Sequence, residues 1–123
     1  MSAEWVEFTV APSNGEERLC RMRLDTDRFS ERLIREGVTG AGYEPDTTRL
    51  ILRALQPGDS FIDVGAHAGY FSLIAAAAVG NEGFVASVEA NPDNASRLEE
   101  NARENGFANV ALHRAAAGEA AGM

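Results

Sequence analysis

The chain has 123 residues, of which 45% are hydrophobic and 24% are charged, and these values are typical of one small globular domain. Its net charge is −8 and every basic residue is an arginine, which argues against a nucleic acid as the main partner, because proteins that neutralise phosphates usually carry a basic face. No apolar run approaches the roughly 20 residues of a membrane span, so we expect no membrane partner.

The cysteine content and the first residues indicate the compartment. Cys20 is the single cysteine, so neither an internal disulfide nor a thiolate metal cluster can form. Residues 1–4 show neither the basic nor the apolar region of a secretory signal. We therefore expect a cytoplasmic protein.

Residues 1–39 are predicted to form a β-hairpin and a helix. Apolar residues alternate over 5–10 and over 19–24, and a Pro-Ser-Asn-Gly turn sequence lies between the two runs. A helix is predicted over 27–36, with Gly37 at its C-terminal cap position.

Residues 40–123 are predicted to begin with a second helix and to continue as an α/β unit. The helix opens at Glu44, where a proline in the first turn and acidic residues suit a helix N-terminus. Its buried stripe is expected to consist of Leu50, Ile51, Ala54 and Leu55.

A strand–helix–strand rhythm follows this second helix. Three short apolar strands alternate with two helices, which indicates crossover units in a parallel sheet with right-handed connections. The predicted strands are Ser60–Val64, Phe84–Val88 and Val110–His113, and the predicted helices cover 70–78 and 91–105. The fold class is therefore α/β, and the first strand is of the kind that is buried in a parallel sheet.

A glycine loop joins the first of these strands to the following helix. Gly65 allows a sharp turn and a close approach of a ligand to the backbone, and Gly69 allows close packing where the helix begins. The free N–H groups of the first helical turn and the helix dipole favour a negative ligand group, such as a carboxylate or a phosphate. Glycines at such turns are also common packing devices, so the loop alone leaves both interpretations open.

Glu89 lies at the carboxyl end of the next strand, a little more than about 20 residues beyond Gly65, where an acid in a βαβ unit can accept hydrogen bonds from both ribose hydroxyls. Together with the glycine loop it predicts an adenosine-containing ligand. A dinucleotide site usually has a second glycine at the position of His67. A bulky residue there suits an amino-acid carboxylate better than a diphosphate, which favours S-adenosylmethionine over NAD.

Four segments, in this order, resemble the FkbM-type methyltransferases of the class I S-adenosylmethionine-dependent superfamily. They are 43–48, 57–73, 89–92 and 105–106, which read YEPDTT, PGDSFIDVGAHAGYFSL, EANP and NG. The resemblance covers about residues 40–118 and implies the N-terminal half of a Rossmann-like methyltransferase sheet, with three parallel strands and helices, preceded by a β-hairpin and two helices. Residues 40–123 are then a partial cofactor-binding domain, and 1–39 a separate N-terminal unit.

The resemblance implies a cofactor contact at each of these residues: Asp63, Gly65, Ala66, His67, Gly69, Glu89, Ala90 and Asn91. Asp63 and the glycine loop would contact the methionine part of S-adenosylmethionine, and Glu89 would hold the ribose hydroxyls. Ala90 and Asn91 would border the adenine. This sequence departs from the family at two of these positions, because relatives often have asparagine in place of His67 and proline in place of Ala90. Many also place a polar adenine contact where residues 114–116 stand, and here only Arg114 or the backbone could provide it.

Other side chains near the predicted site have two interpretations. Tyr43 either covers the site or simply packs, and Glu44 either contacts cofactor or substrate or only suits the helix N-terminus. His67 and His113 lack the carboxylate neighbours of a metal site, so we expect no metal. The sequence identifies no general base.

The resemblance implies methyl transfer to an oxygen of a small molecule or sugar. The alternatives are a module that binds S-adenosylmethionine without transferring the methyl group and, less favoured, an NAD-dependent oxidoreductase. Because relatives continue with further strands, we expect a chain truncated after the third core strand. Strand Ser60–Val64 would then expose a hydrophobic edge, which the hairpin, absent sequence or a second copy of the chain could cover. A homodimer that completes the sheet is the main alternative to truncation.

Overall fold

The computed structural model describes residues 3–13 and 15–116 of the chain. Its strands form two sheets. β1 (Ala3–Val10) and β2 (Arg18–Asp25) pair antiparallel, whereas β3 (Ser60–Val64), β4 (Phe84–Val88) and β5 (Val110–His113) form a parallel sheet in the order β3-β4-β5. The helices are α1 (Phe29–Val38), α2 (Pro45–Ala54), α3 (Tyr70–Val79) and α4 (Pro92–Glu104). The predicted α/β class is confirmed. No helix within these described ranges is both long and apolar enough to cross a membrane.

One hydrophobic core joins the hairpin to the parallel sheet. Alternate residues of β2 point inward, and Cys20, Met22 and Leu24 are completely buried. They belong to the same cluster as Leu73 of α3 and Val85 of β4. Burial raises the pKa of the Cys20 thiol to about 11. The division of the chain into units at residue 39 stays a prediction, while the core itself spans both sides of that position.

The first helix is shifted along the chain from its predicted position. α1 ends at Val38 and has Thr39 as its C-terminal cap, so Gly37 lies inside the helix and the prediction of a cap there is wrong. A Cβ at Gly37 would lie 2.6 Å from the Cα of Tyr43. The glycine is needed because the backbone at Tyr43 passes close to the helix, and a sequence pattern does not distinguish this from a cap.

The predicted buried stripe of α2 is wrong in part. Leu55 is buried and Ile51 is half-buried, but Leu50 is 66% exposed and Ala54 is also exposed. The helix packs mainly on α3, so only the narrow face around Ile51 and Leu52 is shielded. An amphipathic pattern gives the apolar side of a helix but not how wide a face its neighbours cover.

The parallel sheet has one covered face and one exposed face. α3 packs on β3 and β4, and Val85 and Ser87 on that side are completely buried. On the opposite side Ile62, Val64 and Phe84 are 69%, 60% and 45% exposed. We call these three residues the open sheet face. The expectation that β3 is a fully buried strand is therefore wrong, because β3 lies at the end of the sheet and helices pack on one side of it.

Asn101 of α4 and Asn105, the C-terminal cap of that helix, bond to the backbone of β2. The N–H of Arg23 donates to Asn101 Oδ1 over 2.7 Å, and Asn101 Nδ2 donates to the Arg23 carbonyl over 3.3 Å. Asn105 makes the same pair of bonds with Arg21, over 2.8 and 2.7 Å. These side-chain amides bond to the backbone of β2 as a neighbouring strand would. They fix α4 against the hairpin.

Candidate functional site

The glycine loop lies between the last residue of β3, Val64, and the first residue of α3, Tyr70. Gly65 has a φ of 73°, a conformation that other residues rarely adopt. The N–H groups of Gly65 and Ala66 donate to the carbonyl of Val88 over 2.8 and 3.1 Å, which ties the loop to the end of β4. A Cβ at Gly65 would meet no atom within 4 Å, so the glycine leaves open space at this point.

His67 and Glu44 are the two non-glycine residues with positive φ in the described part of the chain, with values of 54° and 41°. Such conformations cost about 1–3 kcal/mol each and cluster at functional sites. Both residues line one cavity of about 270 Å³ at the carboxyl end of β3, which we call the loop cavity. The meeting of two strained residues favours a functional site there over a simple packing gap.

The loop cavity brings together residues from distant parts of the sequence. Its lining includes six of the predicted site residues, which are Tyr43, Glu44, Asp63, Gly65, Ala66 and His67. Ser30 and Ile34 of α1 also line it, and the sequence analysis did not place them at the site. Their spacing on an amphipathic helix gave no signal, because only the fold brings α1 to the end of β3.

A second cavity of about 240 Å³ lies at the carboxyl end of β4, and we call it the strand-end cavity. Its lining consists of Val64, Gly65, His67, Val88, Glu89, Ala90, Ala115 and Ala116. Gly65 and His67 line both cavities, so the two meet at the glycine loop.

Glu89 is only 6% exposed and is held by three hydrogen-bond donors. The N–H of His67 donates to its Oε1 over 2.7 Å, while the N–H of Asn91 and the Nδ2 of Asn94 donate to its Oε2 over 3.0 and 3.4 Å. Burial alone would raise the pKa of Glu89, but these hydrogen bonds outweigh it, so the pKa lies below its usual value. The carboxylate is charged at neutral pH, and its remaining lone pairs can accept from a ligand.

Asp63 belongs to a buried chain of polar groups. Ser72 Oγ donates to Asp63 Oδ2 over 2.7 Å and lies 2.6 Å from Ser87 Oγ, and both serines are completely buried. Burial raises the pKa of Asp63, and the hydrogen bond from Ser72 partly opposes that rise. The sequence analysis missed this chain. An inward-facing serine in the otherwise apolar α3 was the available signal, because a buried hydroxyl needs a partner.

Aromatic rings form another wall of the loop cavity. The Tyr43 ring lies edge-on to that of Tyr70, with centroids 5.1 Å apart, and 6.0 Å from that of Phe71. All three residues line the cavity. Burial and the neighbouring Glu44 carboxylate raise the pKa of the Tyr43 hydroxyl, which therefore stays protonated at neutral pH. The sequence analysis singled out Tyr43 and missed its two partners.

Two predicted contacts, Gly69 and Asn91, line neither cavity. A Cβ at Gly69 would lie 2.9 Å from the Leu98 Cγ, so this glycine allows α4 to approach closely. Asn91 is the N-cap of α4, where its side chain accepts from the N–H groups of Asp93 and Asn94. The contacts of Gly69 and Asn91 with a cofactor stay predictions.

The two histidines lie on different elements of the fold. His67 is part of the loop, whereas His113 is exposed at the end of β5. Among the residues that the structure describes, no group of three or more His, Cys, Asp or Glu side chains is placed to hold a metal ion.

Residues 55–122 match the sequence model of a family described as a methyltransferase domain. The match covers more than half of the chain and includes the glycine loop, Glu89 and the whole parallel sheet. The chain belongs to this methyltransferase domain family. A search of curated proteins finds no match.

The fold is similar to that of several solved structures. A SAM-dependent O-methyltransferase from Thermotoga maritima matches with a TM-score of 0.56 and 19% identity, over 89% of this chain and 55% of that one. TYW2 from P. horikoshii, in complex with MeSAdo, matches with a TM-score of 0.56 and 22% identity, over 79% and 33% of the two chains. A SAM-dependent methyltransferase from Aquifex aeolicus matches with a TM-score of 0.50 and 21% identity, over 58% and 37%.

These likenesses show that the chain has a Rossmann-like methyltransferase fold. The chain spans between 33% and 55% of the length of these three proteins.

Proposed function

We propose that the protein is an S-adenosylmethionine-dependent methyltransferase of the FkbM type that acts on an oxygen of a small molecule or sugar. The observation that carries the proposal is the meeting of the loop cavity and the strand-end cavity at Gly65 and His67, with the charged Glu89 in the second cavity. Membership of the methyltransferase domain family supports it. Methyl transfer is proposed for the whole protein, since the chain spans part of the proteins that it matches in fold.

The residues present fit this cofactor. The missing Cβ at Gly65 leaves room where the two cavities meet. Ribose hydroxyls are donors, and the carboxylate of Glu89 is a charged acceptor in the strand-end cavity. Asp63 and Glu44 line the loop cavity, and acidic side chains there suit the cationic ammonium and sulfonium groups of the methionine part.

Small side chains support adenine binding in the strand-end cavity. Ala90, Ala115 and Ala116 line it and leave space for a flat ring. Arg114 lies next to this lining, and its side chain reaches Ser96 and Glu99 of α4. We therefore propose that backbone groups of residues 114–116 bond to the polar edge of the adenine.

The hydrogen bonds of the loop limit where the methionine carboxylate binds. Four loop N–H groups already donate to other protein atoms, namely those of Gly65, Ala66, His67 and Gly69. We therefore assign the carboxylate to the N–H groups at the first turn of α3, where Tyr70 and Phe71 line the loop cavity. The glycine loop then shapes the cavity rather than binding the anion with all of its amides.

When bound, S-adenosylmethionine supplies an electrophilic methyl group. The chain's own residues would hold the reactants in place, since positioning reacting atoms about 3–3.5 Å apart provides much of the rate of a displacement. The rings of Tyr43, Tyr70 and Phe71 would exclude water from the loop cavity, and Glu44 would contact the acceptor or the cofactor from its strained position.

The proposal extends to the partners of the protein. We propose a small-molecule acceptor and no nucleic acid, in line with the net charge of −8, and a cytoplasmic location. We also propose a homodimer in which a second copy covers the open sheet face and the free edge of β3. Exposed apolar patches of this kind usually mark contact surfaces.

Calorimetric titration tests the cofactor assignment. We expect S-adenosylmethionine and S-adenosylhomocysteine to bind and NAD not to bind. Release of S-adenosylhomocysteine in the presence of hydroxyl-bearing acceptors then separates methyl transfer from binding alone. Tight binding of NAD in place of the other two ligands would overturn the assignment.

Glu89→Ala tests the ribose contact. The variant should bind S-adenosylhomocysteine more weakly by about 1.5–3 kcal/mol, the usual loss when a charged hydrogen-bond partner is removed. Glu99→Ala is the matched control, because Glu99 is an exposed acid on α4 and lines neither cavity. An affinity that is the same in both variants would remove Glu89 from the binding site.

A further inference from the structure

A third cavity, of about 400 Å³, lies between the hairpin and α2. We call it the hairpin cavity. It is lined by Phe8 and Thr9 of β1, by Thr48, Arg49, Leu52 and Arg53 of α2 and by several neighbours. Its volume falls in the range of about 300–1,000 Å³ that is typical of small-molecule sites. Neither the predicted cofactor contacts nor the proposed methyl transfer uses its α2 wall.

One side of the hairpin cavity is a rigid aromatic wall. The ring centroid of Tyr70 lies 5.6 Å from that of Phe8 and 5.1 Å from that of Tyr43, and all three residues line the cavity. Thr48 Oγ1 donates to the Tyr43 carbonyl over 2.9 Å and lies 3.1 Å from the Tyr70 hydroxyl, which fixes the backbone at Tyr43 and the ring of Tyr70. A flat apolar ligand would stack here at little cost in side-chain entropy.

The other side of the cavity is positively charged. Arg49 and Arg53 lie one turn apart on α2, and no acidic side chain is found in the lining among the described residues. This is unusual for a chain with a net charge of −8. Arg49 Nη1 lies 3.2 Å from Asp46 Oδ1, but their side chains are 57% and 97% exposed, so the pair is weak and can exchange for another anion. No ion pair of Arg53 is found within the described residues.

We propose that the hairpin cavity binds a small aromatic carboxylate. The ring would lie against Phe8, Tyr43 and Tyr70, and the carboxylate would accept hydrogen bonds from Arg49 and Arg53, whose planar guanidinium groups match its geometry. Tyr43 and Tyr70 also line the loop cavity, so the ligand would lie directly beside the proposed cofactor site. The proposal goes beyond methyl transfer, and binding can be measured without any cofactor.

The test is a titration of the ¹⁵N-labelled protein, followed by NMR, with phenylacetate and with its neutral analogue phenylacetamide. We expect phenylacetate to shift the amide signals of Thr9, Thr48 and Arg53 saturably, and phenylacetamide to bind at least about fivefold more weakly. Added salt should weaken the binding of phenylacetate more than that of phenylacetamide. This test uses the unaltered protein. Equal affinity for the two probes, or no saturable shift with phenylacetate, would overturn the proposal.

The double variant R49Q/R53Q identifies the groups that bind the carboxylate. It should lower the affinity for phenylacetate about tenfold and leave that for phenylacetamide unchanged. The matched control is R32Q/R103Q, which removes two exposed arginines outside the hairpin cavity. Phenylacetate binding that survives in R49Q/R53Q, or that falls equally in R32Q/R103Q, would contradict the assignment. Thermal unfolding of each variant checks that the fold is kept.

Discussion

The backbone at His67 links a single side chain to the shape of the site. The φ of His67 is 54°, in the left-handed region, and its N–H donates a hydrogen bond to Glu89. His67 also lines both the loop cavity and the strand-end cavity. Asparagine and histidine tolerate this conformation better than other residues with a Cβ, and β-branched residues tolerate it least. The family that the sequence resembles often has asparagine there, which fits a requirement of the backbone rather than of the imidazole.

Substitutions at position 67 should follow this conformational order. We expect His67→Asn to change the free energy of unfolding by less than about 0.5 kcal/mol, and His67→Val to lower it by about 1–2 kcal/mol because of the strain of a left-handed conformation. Denaturant unfolding measures both. His113→Val is the control, because His113 lies in β5, where valine is favoured. Equal stability of the two valine variants would contradict the role of strain.

Glu89 should make the stability of the protein depend on pH. The pKa of Glu89 in the folded protein lies below the usual value of 4.5. The contribution of Glu89 to the free energy of unfolding is therefore complete above that value and is lost as the pH falls through the folded pKa. The stability advantage of the unaltered protein over Glu89→Gln should therefore be constant from about pH 7 to about pH 5.5 and shrink below about pH 4.5. Urea unfolding at several pH values measures it, and a constant difference down to about pH 3 would contradict the assigned pKa shift.

At the scale of elements, α4 is fixed to the hairpin through Asn101 and through its C-terminal cap, Asn105. Asn101 is completely buried and bonds to both backbone groups of Arg23 and, over 3.0 Å, to the Ala68 carbonyl. Asn101→Ala should lower the free energy of unfolding by about 1–3 kcal/mol, because it leaves these groups without partners. Glu99→Ala on the exposed side of α4 should cost less than about 0.5 kcal/mol. A similar loss of unfolding free energy in the two variants would show that the hydrogen bonds of Asn101 to the backbone do not contribute to stability.

The sequence predicts elements well where one periodicity dominates. The strands β3, β4 and β5 lie at their predicted positions because continuous apolar runs between turn residues leave little choice. The exposure of Leu50 was not predictable, since it depends on which neighbours α2 meets. The left-handed Glu44 and the pairing of Ser72 with Ser87 likewise depend on contacts between residues distant in the sequence. The motif therefore predicts where the candidate site lies, whereas the residues that line its cavities depend on the fold.

For the whole molecule, the open sheet face sets the expected state of association. Ile62→Thr together with Val64→Thr keeps β-branched residues in β3 and removes apolar surface. If a second copy covers this face, the variant should shift from dimer to monomer in sedimentation velocity with little loss of monomer stability, because both side chains are exposed. Leu50→Gln, which removes an equally exposed apolar residue of α2, should leave association unchanged. An unaltered dimer in the double variant would exclude this face as the interface.

The reactivity of Cys20 can report how often the hairpin separates from the helices. It is the single cysteine, it is completely buried, and its raised pKa leaves almost no thiolate, the form that reacts with alkylating reagents. Alkylation must therefore wait until the hairpin separates from the helices, and its rate measures how often that separation occurs. A ligand that holds the hairpin and α2 together would slow this chemistry without any label having been introduced.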